Sequence, residues 1–378
     1  MISALSHFLR LSVHSTHPKH ITTTFMQSSS RLMEFKVKDL MVDKRRLVQV
    51  PDNATLADAL NTMVANRVIA VPVAAKPGQW LGAGGSMIVE SDKQTGSARK
   101  QYIGMVTMLD VVAHIAGEGD DSESGLDKKM AAPVSSIIGH SPEGLSLWSL
   151  NPNTGSIMDC MEMLSKGIHR VLVPMNSNIE NISGPELVES ASSYAMLTQM
   201  DLISFFLDRS SHLQGILSHT VTDLSAIHDT VLALTSQARV KDAIKCMSKA
   251  MLNAVPIVEA SSEEEDHKQL VDGRNRRVVG TFSASDLKGC HLATLRSWLP
   301  LNALEFVEKI PRTPLFTAAS STPGRELVTC HVTSTLAQVI RMVTTKRVHR
   351  VWVVDQNDGL QGLISLTDII AAVRSALL

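Results

Sequence analysis

Four stretches of the chain repeat one order of apolar and polar positions. Each begins with apolar residues three and four positions apart, as in Leu56, Leu60 and Met63, which places these side chains on one helix face. A compact β-branched run follows, as at 351–354, and predicts a buried strand. A variable insert, a second apolar strand and a second helix complete each stretch. The pattern therefore predicts an α/β (α+β) fold of four units, each ordered strand–helix–strand–strand–helix.

The second apolar strand of every unit ends in the same short motif, a Ser or Thr followed three positions later by Asp. The motif acids recur at a near-constant spacing of 82 to 91 residues, and such a period indicates similar modules in one assembly. Each unit leaves helix and sheet surfaces uncovered, so the units are expected to pair within the chain. The hydroxyl residues are Thr107, Thr198, Ser283 and Ser365, and the acids are Asp110, Asp201, Asp286 and Asp368.

The Ser/Thr-x-x-Asp motif has two physical interpretations. As a capping box, its hydroxyl accepts a hydrogen bond from an early helix N–H, and its acid lies where the helix dipole favours negative charge. Such a cap contributes about 1 kcal/mol, which would be sufficient to explain a single copy. The same helix start can also offer N–H groups to a phosphate and a carboxylate to a ribose diol. The sequence leaves both interpretations open.

The order of elements, closed by Gly, two apolar residues and the Ser/Thr-x-x-Asp motif, resembles the CBS domain. Four such units without a catalytic domain resemble the gamma regulatory subunits of the AMP-activated and sucrose-non-fermenting-related protein kinases. The opening KVKDLMVDKRRLVQVPDNATL is similar to the plant gamma-like type. The resemblance covers about residues 33–378 and implies two Bateman pairs in a pseudo-symmetric disc. It implies CBS domains at 33–117, 130–210, 216–292 and 326–378, a linker at 293–325 and a disordered tail at 1–32.

The resemblance also implies ligands and partners. Adenine nucleotides (AMP, ADP or ATP) would bind between the units as regulatory ligands, with no metal. In CBS proteins the motif Asp typically holds ribose, and this role carries over to all four acids here. Animal gamma subunits have a basic residue in one repeat where Asp201 stands, so a nucleotide is expected at the second site of this chain. The expected partners are a kinase catalytic alpha subunit and a scaffold beta subunit.

Units two and four carry the same basic pair where their first long strand begins, His169-Arg170 and His349-Arg350. A pseudo-symmetric disc would bring the pairs of the even units toward a shared centre. Arg side chains there could bind phosphate through their bidentate fork. The alternative is that each pair is only a partly exposed strand end. The resemblance to the gamma subunits favours the phosphate role.

Units one and three lack this pair. Ile69 and Asn253 stand where the histidines would be, and Ile69 and Met251 stand at the places of the family's arginines. Arg67 occupies in unit one the place of Arg347 in unit four. We therefore expect fewer phosphate contacts than in the animal proteins, with a nucleotide preference that is altered or lost.

Composition narrows the class of protein. The chain has 378 residues, of which 44% are hydrophobic and 19% charged, in keeping with a substantial core. Its net charge of −1 gives no general attraction to nucleic acid or to an anionic membrane. The longest apolar run, 68–75, is far shorter than the roughly 20 residues that span a bilayer. Four scattered cysteines without a CxxC pair predict a reduced intracellular protein without zinc or disulfides.

The first 33 residues contain basic and hydroxyl residues but no acid before Glu34. This composition resembles an organelle transit peptide. The alternatives are a disordered tail or a start at Met26, since the first repeat unit begins soon afterwards. We expect a cytoplasmic or nuclear protein, or both, in preference to organelle import.

The sequence leaves three hypotheses about function open. The sequence has no HExxH, GxSxG or GxxxxGK motif, which argues against an enzyme. The leading hypothesis is a non-catalytic regulatory subunit that senses adenine nucleotides. The alternative is an adaptor that holds the kinase complex together without sensing nucleotide. A third option, S-adenosylmethionine as the ligand, would leave the His-Arg pairs unexplained because that molecule has no phosphates.

Overall fold

The computed structural model describes residues 32–75, 102–117, 123–139, 144, 147–175, 194–262, 264–289, 294, 297–310 and 326–378. The predicted tail at 1–32 lies outside these ranges except for its last residue. Unit one forms a three-stranded sheet in which β2 pairs parallel with β1 and antiparallel with β3. Its elements are β1 (Val50–Pro51), α1 (Leu56–Asn66), β2 (Ala70–Ala74), β3 (Tyr102–Thr107) and α2 (Met108–Ala116).

Unit two repeats this topology after the connecting helix α3. A Ser or Thr caps the first helix of units one and two, with an acid three positions later, because such pairs satisfy free N–H groups at a helix start. Helix α3 spans Glu123–Met130, and the unit consists of β4 (Trp148–Ser149), α4 (Ile157–Leu164), β5 (Arg170–Pro174), β6 (Tyr194–Thr198) and α5 (Gln199–Asp208).

Unit three departs from the predicted order in two places. A fourth strand joins its sheet from the variable insert, and the closing helix is a short 3-10 helix instead of an α-helix. The short helix α6 (Gln214–Leu217) precedes this unit. Its elements are β7 (Leu232–Thr235), α7 (Val240–Lys249), β8 (Ala254–Val258), β9 (Val271–Asp272), β10 (Val278–Ser283) and the 3-10 helix Ala284–Gly289.

Unit four returns to the three-stranded pattern, so the predicted fold of four similar α/β units is confirmed. Before it, helix α8 (Ala303–Lys309) lies in the described part of the segment predicted as a linker. The unit consists of β11 (Thr329–Cys330), α9 (Leu336–Lys346), β12 (Arg350–Val354), β13 (Leu360–Ser365) and α10 (Leu366–Leu377). In the described ranges, no helix combines the length and hydropathy needed to cross a bilayer.

The four units close into a ring through two kinds of interface. Units one and two pack sheet against sheet, with Tyr102 and Tyr194 in one apolar cluster. Units three and four do the same around Trp352. Helices then join unit one to unit three and unit two to unit four in two larger cores. The sheet-faced pairs correspond to the predicted Bateman pairs, and their helices hold the disc together.

Segments before each unit cross over to its neighbour. Lys36 bridges to Ser156 of unit two, and Pro133, which precedes unit two, bridges back to Thr55 of unit one. The same exchange recurs in the second pair, where Thr220 bridges to Thr335 and Asn302 to Arg239. The exchange explains helix α8, which is capped by Asn302 and packs its buried face on unit three.

The turn after the first helix of each unit contains a residue in the left-handed conformation. Arg67, Met251 and Arg347 have φ values of 55°, 56° and 54°, and Gly167 has 86° at the equivalent place. Side chains other than glycine rarely adopt such φ values. The shared turn therefore fixes the register of the strand that follows, including the His-Arg pairs.

Candidate functional site

A cavity of about 960 Å³ lies where the four units meet. Each unit contributes the turn after its first helix and the start of its closing helix. The lining includes Arg67 and Thr107 of unit one, His169, Arg170 and Thr198 of unit two, Asn253 and Ser283 of unit three, and His349, Arg350 and Ser365 of unit four. The structure thus brings both sequence motifs to one place.

One backbone hydrogen bond ties the two motifs together in every unit. The N–H after the motif Ser or Thr donates to the carbonyl of the residue at the His position. This carbonyl is that of Ile69, His169, Asn253 or His349, at N···O distances of 2.8, 3.2, 2.8 and 3.1 Å. Because the bond needs no particular side chain, it preserves the architecture in units one and three, where the basic pair is absent.

The motif forms the capping box in units one, two and four, and unit three keeps its backbone half. The backbone N–H of the Ser or Thr donates to Oδ2 of the acid at 2.8 Å in unit one, 2.7 Å in units two and three, and 2.8 Å in unit four. In units one, two and four the hydroxyl also donates to this oxygen, at 2.7, 2.8 and 2.6 Å. The capping interpretation is therefore confirmed, and the cap holds each acid at the start of its helix.

The third motif differs because a second serine competes for the hydroxyl. Ser283 Oγ lies 2.9 Å from Ser285 Oγ and accepts from the Ser285 N–H at 3.3 Å. Short polar side chains offer the backbone such alternatives to regular helix geometry. This local bonding accompanies the 3-10 helix that replaces the expected α-helix in unit three.

The four acids are equivalent in the sequence but not in the structure. Asp110 and Asp286 are buried, with 4% and 1% of their surface exposed. Asp201 and Asp368 are only partly buried, and Asp201 lies 2.5 Å from Lys44 Nζ through its Oδ2. The Ser or Thr of each motif lines the cavity, whereas none of the four acids does. Of the two partly buried acids, Asp201 is the one paired with a lysine. The ribose role of each acid stays a prediction.

The basic pairs of units two and four converge, as the disc geometry requires. Burial lowers the pKa of Arg170 to about 10, and burial, partly opposed by the charge of Asp368, lowers the pKa of Arg350 to about 10. Burial and the positive charge of Arg350 lower the pKa of His169 to about 4. At neutral pH His169 is therefore neutral beside the cation of Arg350.

Arg350 also crosses to the neighbouring unit. Its Nη1 donates to the carbonyl of Ala254 at 2.9 Å, at the first residue of β8. Ala254 occupies in unit three the place that Arg350 occupies in unit four. The bond fixes the guanidinium at the cavity wall, so that it would meet a ligand with little further ordering.

Sequence reasoning missed two contributions to this cavity. Gln199, 5% exposed, donates to the Leu164 carbonyl at 2.9 Å and to Thr367 Oγ1 of unit four at 2.8 Å. The residues Lys44, Arg45 and Arg46 line the cavity from the segment before β1. The second contribution could have been predicted from the sequence, because these three cations are consecutive in a chain whose net charge is only −1.

The cavity wall is cationic and partly aliphatic. Among the described residues, six Lys or Arg side chains and one carboxylate, Asp43, line it. Apolar side chains such as Leu109, Met196 and Leu366 complete the wall. In the described ranges, no group of three or more His, Cys, Asp or Glu side chains could hold a metal ion. The arrangement suits an anion that carries a flat apolar part.

A family model, the CBS domain, matches residues 307–375, which cover unit four up to the last turn of α10. The SNF1-related protein kinase regulatory subunit gamma-like PV42b of Arabidopsis thaliana is 90% identical over 353 residues, covering 93% of this chain and 98% of the relative. The PV42a protein of the same plant, with the same description, is 57% identical over 356 residues, again covering 93% and 98%.

Among solved structures, protein MJ1225 from Methanocaldococcus jannaschii superposes with a TM-score of 0.56. The match covers 89% of this chain and 99% of the archaeal chain at 20% sequence identity, so it bears on the fold alone. The fold and the extensive identity to the two plant proteins agree. The chain therefore belongs to the family of gamma-like regulatory subunits of the SNF1-related protein kinases.

Proposed function

We propose that this regulatory subunit binds adenine nucleotides in the central cavity and thereby regulates a kinase catalytic subunit held with a scaffold subunit. The observation that carries the proposal is the convergence of six cationic side chains on one cavity of about 960 Å³. Ligand sites of this size are common for molecules as large as a nucleotide. A pig relative, 5'-AMP-activated protein kinase subunit gamma-3, is 22% identical over 90% of this chain and 56% of its own length, and its name supports AMP as a ligand.

The charged and apolar side chains of the cavity wall orient the nucleotide. Its phosphates lie against Arg170 and Arg350, since an anion offsets the free-energy cost of burying these cations. Its ribose binds Asp368, which is near Arg350 and more accessible than Asp110 or Asp286. Its base packs on the aliphatic part of the wall. In this role the subunit performs no chemical step and acts through its partners.

Calorimetric titration of the purified subunit with AMP, ADP and ATP tests the proposal. We expect saturable binding at sub-millimolar concentration, together with a higher melting temperature, because a ligand that binds only the folded state stabilises it. Adenosine, which lacks phosphate, should bind more weakly. If none of the nucleotides produces heat or a thermal shift at millimolar concentration, nucleotide sensing is rejected.

The same titration should show that AMP binding takes up protons. In the free cavity the pKa of His169 is about 4, below its usual 6.5. A phosphate beside the ring would favour the charged form and raise that pKa, so affinity should increase as pH falls from 7.5 toward 6. Titration in two buffers of different ionisation heat measures the uptake. His169→Gln should reduce the proton uptake. The ionisation of AMP itself contributes equally in both proteins, so the difference between them reports on His169. Equal uptake in the two proteins would contradict the role of His169.

An adaptor that no longer senses nucleotide is the second candidate. It is favoured by the burial of Asp110 and Asp286 and by the Lys44–Asp201 pair, which leave fewer accessible carboxylates than the four motifs suggest. The combined change Asp286→Ala and Asp368→Ala separates the two functions. A sensor would keep its kinase partners in co-purification and lose the effect of nucleotide on them. An adaptor would show only a change in melting temperature.

A further inference from the structure

The segment 41–47 contributes charge to the cavity that neither motif explains. It begins after the 3-10 helix Val37–Leu40, which packs in the core of units two and four, and it leads into β1 of unit one. Backbone bonds fix both ends, from the Lys44 N–H to the Met41 carbonyl at 3.3 Å and from the Leu47 N–H to the Tyr194 carbonyl at 2.8 Å. We call its three cations, Lys44, Arg45 and Arg46, the basic strap.

The basic strap is attached to unit two by an ion pair. Lys44 Nζ lies 2.5 Å from Asp201 Oδ2, and these side chains are only 20% and 25% exposed. The same oxygen accepts hydrogen bonds from the N–H and hydroxyl of Thr198, at 2.7 and 2.8 Å. With three donors on Oδ2, this carboxylate is engaged by the protein itself. A ribose at Asp201 would have to compete with the ion pair.

The basic strap adds cations to a cavity to which the odd units contribute none from the His-Arg positions. Ala70 and Ala254 stand at the places of Arg170 and Arg350. Arg45 and Arg46 are exposed and line the cavity, whereas the arginines of units two and four are partly buried in its wall. Cations from two separate parts of the chain therefore line the cavity, which suits a ligand with more than one phosphate group.

We propose that the basic strap is a phosphate-binding element, that Asp201 is the positioning residue that anchors it, and that the cavity prefers nucleoside di- and triphosphates to monophosphates. This inference rests on the proposed function and adds the class of nucleotide that the cavity prefers. Arg170 and Arg350 bind the phosphate nearest the ribose, and Arg45 and Arg46 bind the phosphates beyond it. Asp201 binds no ribose.

The preference is tested by titrating ATP and AMP into Arg46→Gln and the unchanged protein. We expect the variant to lose about tenfold in ATP affinity and much less in AMP affinity, since a lost Arg–phosphate contact weakens binding by about this factor. Lys38→Gln is the matched control, because Lys38 is an exposed cation nearby that does not line the cavity. If the ratio of the two affinities is the same in Arg46→Gln and the unchanged protein, the basic strap binds no phosphate.

The role of Asp201 is tested with adenosine, which has a ribose but no phosphate. Asp201→Asn should leave adenosine affinity unchanged, whereas Asp368→Asn should weaken it severalfold. A loss in Asp201→Asn equal to that in Asp368→Asn would show that Asp201 holds ribose and would overturn its assignment as an anchor. Melting curves establish that both variants are folded. Absence of nucleotide binding by the unchanged protein would reject the proposed function and this inference with it, while binding that is insensitive to these changes would reject the inference alone.

Discussion

Replacing Arg350 with glutamine is expected to weaken AMP binding about 10- to 100-fold. A hydrogen bond between charged groups contributes about 1.5–3 kcal/mol, which corresponds to this range of affinity. Arg350 is suited to this role because its bond to the Ala254 carbonyl holds it at the wall and because it lies near both His169 and Asp368. Titration calorimetry of the variant and the unchanged protein measures the effect.

The control for this change is Arg347→Gln. Arg347 is an exposed arginine in the left-handed turn just before His349, and it does not line the cavity. Its replacement should change AMP affinity by less than about twofold. This is a small effect, because a tenfold change in affinity corresponds to about 1.4 kcal/mol. Equal losses in the two variants would mean that general positive charge, and not the position of Arg350, determines binding.

Replacing Trp352 with alanine is expected to cost about 3–5 kcal/mol of the free energy of unfolding, as is usual for buried tryptophans. Trp352 is 2% exposed and packs between the sheets of units three and four. Its Nε1 donates to Thr281 Oγ1 at 2.7 Å, so the change removes an interface bond as well as apolar contacts. The loss is a large part of the roughly 5–15 kcal/mol that folded proteins have in total. Denaturant unfolding measures it.

Trp148 provides a matched control on another sheet. It is 47% exposed at the start of β4, so Trp148→Ala removes far less buried surface. We expect a loss below about 1 kcal/mol, in the range of substitutions near the surface. If Trp352→Ala costs no more than Trp148→Ala, the sheet-to-sheet pairing of units three and four contributes little to stability.

The elements that the sequence predicted correctly are those encoded locally. Helical spacing such as that of Leu336 and Ile340 places apolar side chains in a core, and both are fully buried. The Ser/Thr-x-x-Asp caps depend on residues three positions apart, so their geometry follows from the sequence. The meeting of the His-Arg pairs was also predictable, because repeated units in a symmetric disc place equivalent residues together.

The features that the sequence could not predict depend on contacts between distant segments. The Lys44–Asp201 pair forms because the segment before unit one crosses to unit two. The burial of Asp110 and Asp286, compared with Asp368, depends on how the units pack and not on the motif itself. The 3-10 helix of unit three involves the local competition of Ser285, which breaks the apparent equivalence of the four motifs.

A nucleotide is expected to bind in the cavity between the four units, and the most direct test is to locate it. Crystals of the subunit grown with millimolar AMP should show difference density for one or more nucleotides in the cavity. We expect the phosphate within hydrogen-bonding distance of Arg170 or Arg350, and the ribose beside Asp368. An empty cavity under conditions where calorimetry shows saturation, or a nucleotide bound elsewhere on the surface, would contradict binding in the cavity.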